Sequence, residues 1–165
     1  MTYSGGMSRE GRVEHIHIAP DTGEDMIAKE EIEAVDYRGL RGDRYFKEKG
    51  IWNEWEDQEH TEASNVTFIE AEAIEEVRGE YGISLEDGEH RRNITTRDVA
   101  LNHLVGEQFR VGDALVEGVG LCSPCGYMQG LVNKGKVAEA LKHRGGLDAN
   151  ILKAGLIKRG DIIKW

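Results

Sequence analysis

The sequence predicts a mainly β, α+β domain: a barrel of short strands decorated by a few helices. Two observations point there. Glycine occurs 21 times and proline twice in 165 residues, a composition suited to tight turns between short elements. Helical periodicity is confined to a few short stretches, and the rest of the apolar material falls in brief β-compatible runs. The length fits one domain, read as a flexible tail over residues 1–10 followed by a single domain over 11–165. A hydrophobic fraction of 39% supplies one core.

The elements follow in order. Val13 to Ile18 is β-compatible and ends at Pro20. Glu31 to Asp36 reads as a second strand, and Tyr37 to Asp43 turns the chain on two glycines. Lys47 to Ser64 is polar and charged, a long surface loop holding Trp52 and Trp55. These tryptophans fit either a cap on the barrel or a lid over a cleft. Asn65 to Phe68 is a strand that runs into a helix, with Ile69, Ala73, Ile74 and Val77 on one face and Gly79 as its expected end. Arg92 to Thr95 is a short strand, and Val99 to Leu104 fits one helical turn. Phe109 to Val111 and Ala114 to Val119 are joined by Gly112-Asp113, a hairpin turn. Lys136 to His143 reads as a short helix closed by Gly145-Gly146. Asn150 to Leu152 and Asp161 to Lys164 complete the strands.

Charge narrows the partners. With 31 acidic and 21 basic residues the net charge is −10, which repels phosphate backbones and argues against nucleic acid. No stretch approaches the about 18 apolar residues of a membrane span, and the first residues lack the basic start and apolar run of a signal peptide. The expectation is a cytoplasmic protein without a membrane partner. An anionic ligand would need a local basic pocket against this acidic background.

Cys122 and Cys125 carry the most chemistry. A disulfide scaffold would need more cysteines. Pairs of this spacing serve as redox thiols, as part of a zinc site, or as a source of one metal-binding thiolate. A thioredoxin-like pair would sit early in a βαβ unit, and this one lies late in a β-rich chain. Zinc needs further ligands, and none of the six histidines stands at a convincing spacing. A single metal-binding thiolate in an anion pocket needs cations. Arg91-Arg92-Asn93 supplies a planar fork with an amide beside it, and Arg38, Arg41 and Arg44 form a second basic cluster. The bland alternative is that these arginines are solvated or paired with carboxylates. Lys134, Lys136, Lys142 and Arg144 read as a solvated helical face.

Four segments in this order resemble MOSC domains, named after the C-terminal domain of molybdenum cofactor sulfurases. They are Gly39-Leu40-Arg41-Gly42-Asp43-Arg44-Tyr45, Asn65-Val66-Thr67-Phe68-Ile69-Glu70-Ala71, Arg91-Arg92-Asn93-Ile94 and Ser123-Pro124-Cys125. Arg144 to Asn150 and Arg159-Gly160-Asp161 resemble the family's closing strands. The likeness runs from about residue 11 to 165 and is closest to the short, stand-alone branch.

The resemblance implies a β-barrel decorated by helices, and it implies roles. Cys125 would ligate molybdenum and be the catalytic thiolate. Arg91 and Asn93 would contact the pterin and phosphate of molybdenum cofactor (molybdopterin). Ser123, Arg44 and Thr67 would complete the cofactor-binding set. Tyr45 stands where many relatives have histidine. The implied activity is oxo transfer or reduction of a small N-hydroxylated or related substrate, with electrons from a redox partner protein. Two rivals keep the same cysteine: a persulfide sulfur carrier, and a cofactor-binding domain without turnover. Some family members are linked to pyridoxal phosphate, but no lysine here is marked as a Schiff-base residue. The role of Cys122 is open among resolving thiol, second carrier and filler.

Overall fold

The computed structural model describes residues 9–21, 23–47, 64–85, 88–122 and 136–165. The expected loop around Trp52 and Trp55, the residues Ser123 and Cys125, and most of the expected N-terminal tail lie outside the described residues. The end of that tail is part of the fold. Arg9 and Trp165 exchange both backbone hydrogen bonds, at 2.9 and 3.0 Å, and Glu10 opens the first strand.

Eleven strands are present among the described residues. They are β1 (Glu10–Ile18), β2 (Ile27–Lys29), β3 (Glu31–Val35), β4 (Gly39–Leu40), β5 (Val66–Glu70), β6 (Ile94–Arg97), β7 (Gln108–Val111), β8 (Ala114–Leu121), β9 (Leu147–Lys153), β10 (Gly155–Lys158) and β11 (Ile162–Lys164). The main sheet runs β11-β7-β8-β9-β5-β6-β1-β2, and β11 also pairs with β1. That pairing closes seven strands into a barrel and leaves β2 as an outer addition. The pairs are antiparallel except β5 with β6. A smaller sheet, β10-β3-β4, lies apart in its hydrogen bonding.

Closure leaves no free strand edge in the barrel proper, and its interior fills with inward side chains. Val13, Ile16, Phe68, Ile94, Phe109, Val116, Ile151 and Ile163 share one buried cluster. Phe68 and Phe109 meet edge to face at 5.5 Å. A second cluster sits under the helix α2 (Ala71–Tyr81), where Ile69 and Val77 pack with Ile83, Leu85, Val137 and Leu141.

Three helices are described: α1 (Arg44–Lys47), α2, and α3 (Val137–Ala140). Two of them end differently from the expectation. The helix α2 continues through Gly79 and stops at Gly82, which takes φ +69° and donates to the Arg78 carbonyl. An interior glycine costs only about 1 kcal/mol, so apolar contact with the second cluster carries the helix past it. The C-terminal helix is shorter than Lys136 to His143, and the chain reverses at His143, at φ +68°. The predicted turn at Val99–Leu104 forms as a 3-10 turn over Leu101–Leu104. The short strands β2, β4 and β10 are absent from the sequence reading, β4 lying inside the expected turn. No described helix is long and apolar enough to cross a membrane.

Candidate functional site

The Gly39–Tyr45 segment, β5, the start of β6 and the approach to β9 meet at one end of the barrel. Gly39 allows the first of these approaches. It has φ +101°, and a Cβ there would lie 2.5 Å from the Asn65 carbonyl oxygen. The chain then delivers Asp43, whose side chain is wholly buried. Asp43 Oδ1 accepts from the Ala19 amide at 2.9 Å, Asn93 Nδ2 at 3.2 Å and Arg44 Nη1 at 3.3 Å. Its Oδ2 accepts from the Tyr45 amide at 3.3 Å. The Asp43–Arg44 pair is thus a buried ion pair whose carboxylate is fully supplied with donors.

Arg44 spans the site. Its Nη2 donates to the Arg91 carbonyl at 3.2 Å and to the Tyr45 hydroxyl at 3.3 Å. Burial raises the Tyr45 pKa, with the Arg44 charge opposing it.

Asn93 and Thr67 are locked together. Asn93 Oδ1 accepts from the Thr67 amide at 3.0 Å and from Thr67 Oγ1 at 3.2 Å. Asn93 Nδ2 donates to the His17 carbonyl at 3.1 Å as well as to Asp43. Thr67 Oγ1 accepts the Asn93 amide at 3.0 Å. The Asn93 side chain therefore spends both donors and both acceptor sites inside the protein. Sequence placed Asn93 and Thr67 in a ligand contact; in this structure they tie β1, β5 and β6 to the Asp43 turn.

The two arginines before Asn93 part company. Arg91 takes φ +67°, a left-handed conformation few non-glycine residues adopt. Its Nη1 donates to the Glu24 carbonyl. Arg92 turns into the barrel end, 9% exposed. Its amide donates to His90 Nδ1 at 2.9 Å and its Nε to the Gly145 carbonyl at 2.7 Å. Its Nη2 is closed to solvent and has no hydrogen-bond partner among the described residues.

Beyond Gly145 the chain passes Gly146, at φ +112°, where a Cβ would stand 1.9 Å from the Phe68 carbonyl oxygen. The Gly146 carbonyl accepts the Cys122 amide at 2.8 Å. The Cys122 thiol is buried and donates to Asp148 Oδ1 at 2.8 Å. Its pKa is pushed up to about 12, chiefly by burial and further by Asp148, against the opposing charges of Arg92 and Arg44. Cys122 is accordingly a thiol, not a thiolate, at neutral pH. Beside it opens a cleft of about 460 Å³ lined by Leu121, Cys122, Lys142, His143, Gly145 and Gly146.

Of the sequence-predicted residues, Arg44, Thr67 and Asn93 come together, and Arg91 joins them through its backbone. Asp43, Arg92 and Asp148 were missed as site residues. Asp43 and Arg92 lie inside segments already singled out, so their signal was present and their orientation was not. Among the described residues no group of three or more His, Cys, Asp and Glu side chains is arranged to hold a metal ion.

The MOSC domain model matches residues 36–164. The chain belongs to the MOSC domain family. Solved structures agree with the MOSC fold. The YuaD protein from Bacillus subtilis superposes with a TM-score of 0.75 at 16% identity, covering 96% of each chain. YiiM from Geobacillus stearothermophilus gives 0.69 at 13% identity, over 94% of this chain and 75% of its own. YiiM from Escherichia coli gives 0.62 at 15% identity, over 93% and 68%. At these identities the likeness is one of fold. No curated protein sequence matches this chain. The β1 strand precedes the matched region, yet the MOSC barrel here cannot close without it.

Proposed function

We propose that this MOSC protein binds molybdenum cofactor at the barrel end beside Cys122 and works as a cytoplasmic oxidoreductase on a small N-hydroxylated or related substrate. The observation that carries this reading is the pair of buried guanidiniums, Arg44 and Arg92, whose positive charge reaches the Cys122 sulfur at the edge of an open cleft. A phosphorylated pterin is an anion, and on a chain of net charge −10 it needs such a local cationic pocket. An orphaned buried donor, Arg92 Nη2, fits a ligand that brings its own acceptor.

The thiols divide on the same grounds. Cys122 is held protonated by burial and by Asp148. The ligand role is assigned to Cys125 by its place in the family's Ser-x-Cys segment. The bound cofactor would supply two-electron oxo-transfer chemistry. The chain's own groups would position it: Arg44 and Arg92 balance its charge, while Asp43 and Asn93 hold the Arg44 turn and β6 in place. Electrons would come from a partner protein.

The test is cofactor analysis of fresh, unoxidised protein from a cofactor-competent host. Wild type is expected to carry molybdenum and pterin, and Cys125→Ala to lose the metal. Absence of both from wild type overturns the reading. A Cys125 adduct of about 32 Da lost on reduction, without molybdenum, would instead assign sulfur carriage.

A further inference from the structure

We infer that the cavity between the outer face of the barrel and the helix α2 is a second small-molecule site, and that it takes a small monocarboxylate with an apolar body. The cavity shares no lining residue with the Cys122 cleft, and the inference stands without the cofactor reading.

Strand periodicity builds the floor of this site. Alternate residues of a strand face one side of its sheet. Ile16 and its cross-strand partner Ile94 belong to the barrel core, so His15, His17 and Thr95 turn outward, with Thr95 paired to His15. The helix α2 packs against β5 and β6, and its residues Ala71 and Ile74 border the space that remains. That space measures about 350 Å³, within the span of small-ligand pockets, about 300–1,000 Å³.

An interface that only held α2 in place would bury apolar side chains here. Instead His17, His90 and Thr95 line the void at 5%, 2% and 1% exposure, and buried polar groups cost free energy unless they are bonded. The chain closes tightly on this set. A Cβ at Gly88 would stand 2.9 Å from His17 Cδ2.

Two of the polar groups are set to donate. His90 Nδ1 accepts the Arg92 amide, and burial keeps the ring neutral, so its proton is on Nε2. Thr95 Oγ1 lies 3.5 Å from that nitrogen, at the outer limit of a hydrogen bond. A carboxylate can accept one bond from each, and charge-assisted bonds are stronger than the long contact these two groups make with one another. Ala71, Ile74 and Leu85 supply apolar surface for the rest of the ligand.

The surrounding charges admit an anion. Glu14 and Glu75 also line the cavity, and Arg97 meets both, donating to Glu14 at 2.9 and 3.0 Å and to Glu75 at 2.7 and 3.1 Å. Arg78 brings a further positive charge from α2, and His15 and His17 bring two more imidazoles.

Benzoate is the probe, set beside benzamide (the same body without the charge) and acetate (the same charge without the body). Each is titrated by calorimetry at constant ionic strength. Wild type should bind benzoate saturably and the other two at least about tenfold more weakly. Thr95→Val removes one donor at nearly constant shape and should weaken benzoate about tenfold. Ile74→Trp fills the cavity and should abolish binding, while Lys142→Gln, at the Cys122 cleft, should bind as wild type does. Benzoate should also shift the His17 and His90 ring signals in NMR spectra. Absence of binding to wild type overturns the site, as does benzoate binding untouched by Thr95→Val or lost equally in Lys142→Gln. Benzamide bound as tightly as benzoate overturns the carboxylate assignment. Should Ile74→Trp fail to fold, Thr95→Val and the ring signals still decide.

Discussion

Asn93 shows how a motif residue can serve the fold itself. Its carboxamide joins Thr67, His17 and Asp43 through hydrogen bonds of 3.0 to 3.2 Å, all buried. Truncation strands the Thr67 amide and the His17 carbonyl in the interior, and each stranded group costs about 1–3 kcal/mol. Asn93→Ala should therefore lose about 2–4 kcal/mol, read as a lower urea midpoint at unchanged slope. A loss below about 0.5 kcal/mol would refute the strut role. At this scale the sequence was legible as to which segments mattered and opaque as to direction. Arg91-Arg92-Asn93 stood out as a cationic motif. Which arginine turns into the barrel end depends on the left-handed turn at Arg91, and residue type carries no sign of such a turn when the residue is not glycine.

The elements carry a pH dependence of their own. His15 and His17 on β1 and His90 ahead of β6 share a cavity of about 350 Å³ with Glu14, Thr95 and the α2 residues Glu75 and Arg78. The His90 and His17 rings meet at 5.6 Å. Burial holds the His90 pKa well below its ordinary value, helped by His17, Arg92, His15 and Arg91. Its Nδ1 accepts the Arg92 amide, so the proton of the neutral ring sits on Nε2, within 3.5 Å of Thr95 Oγ1. Unfolding frees His90 to take up a proton near pH 6.5. Its contribution is whole above that pH and shrinks as pH falls toward the depressed folded value, at up to about 1.4 kcal/mol per unit. Stability measured from pH 7.5 to 5 should decline accordingly, with a shallower slope in His90→Gln. An identical slope in the variant would exclude His90 as its source. The strands with apolar alternation and the helix α2 were legible, because burial of one face writes a period into the sequence. The missed strands β2, β4 and β10 are only two to four residues long. They owe their form to the neighbours they pair with, and a stretch that short has no pattern of its own.

At the scale of the molecule, the fold was readable from glycine content, strand length and motif order, and it is a MOSC barrel. Closure was not readable. It depends on β1 meeting β11, with Glu10 opposite Lys164 and Arg12 opposite Ile162. Segments this far apart in the chain leave no shared local signature. The same seam has a kinetic meaning. Bringing β1 to β11 demands a loop of nearly the whole polypeptide, and contacts of such separation slow folding. A circular permutant that links residue 165 to residue 9 through a few glycines, and begins at Glu24 in the exposed stretch after Gly23, turns the seam into a hairpin. Such a protein should keep its barrel and refold faster than the parent in stopped-flow mixing. Equal or slower refolding would mean that the rate is set elsewhere than at the joining of the two ends.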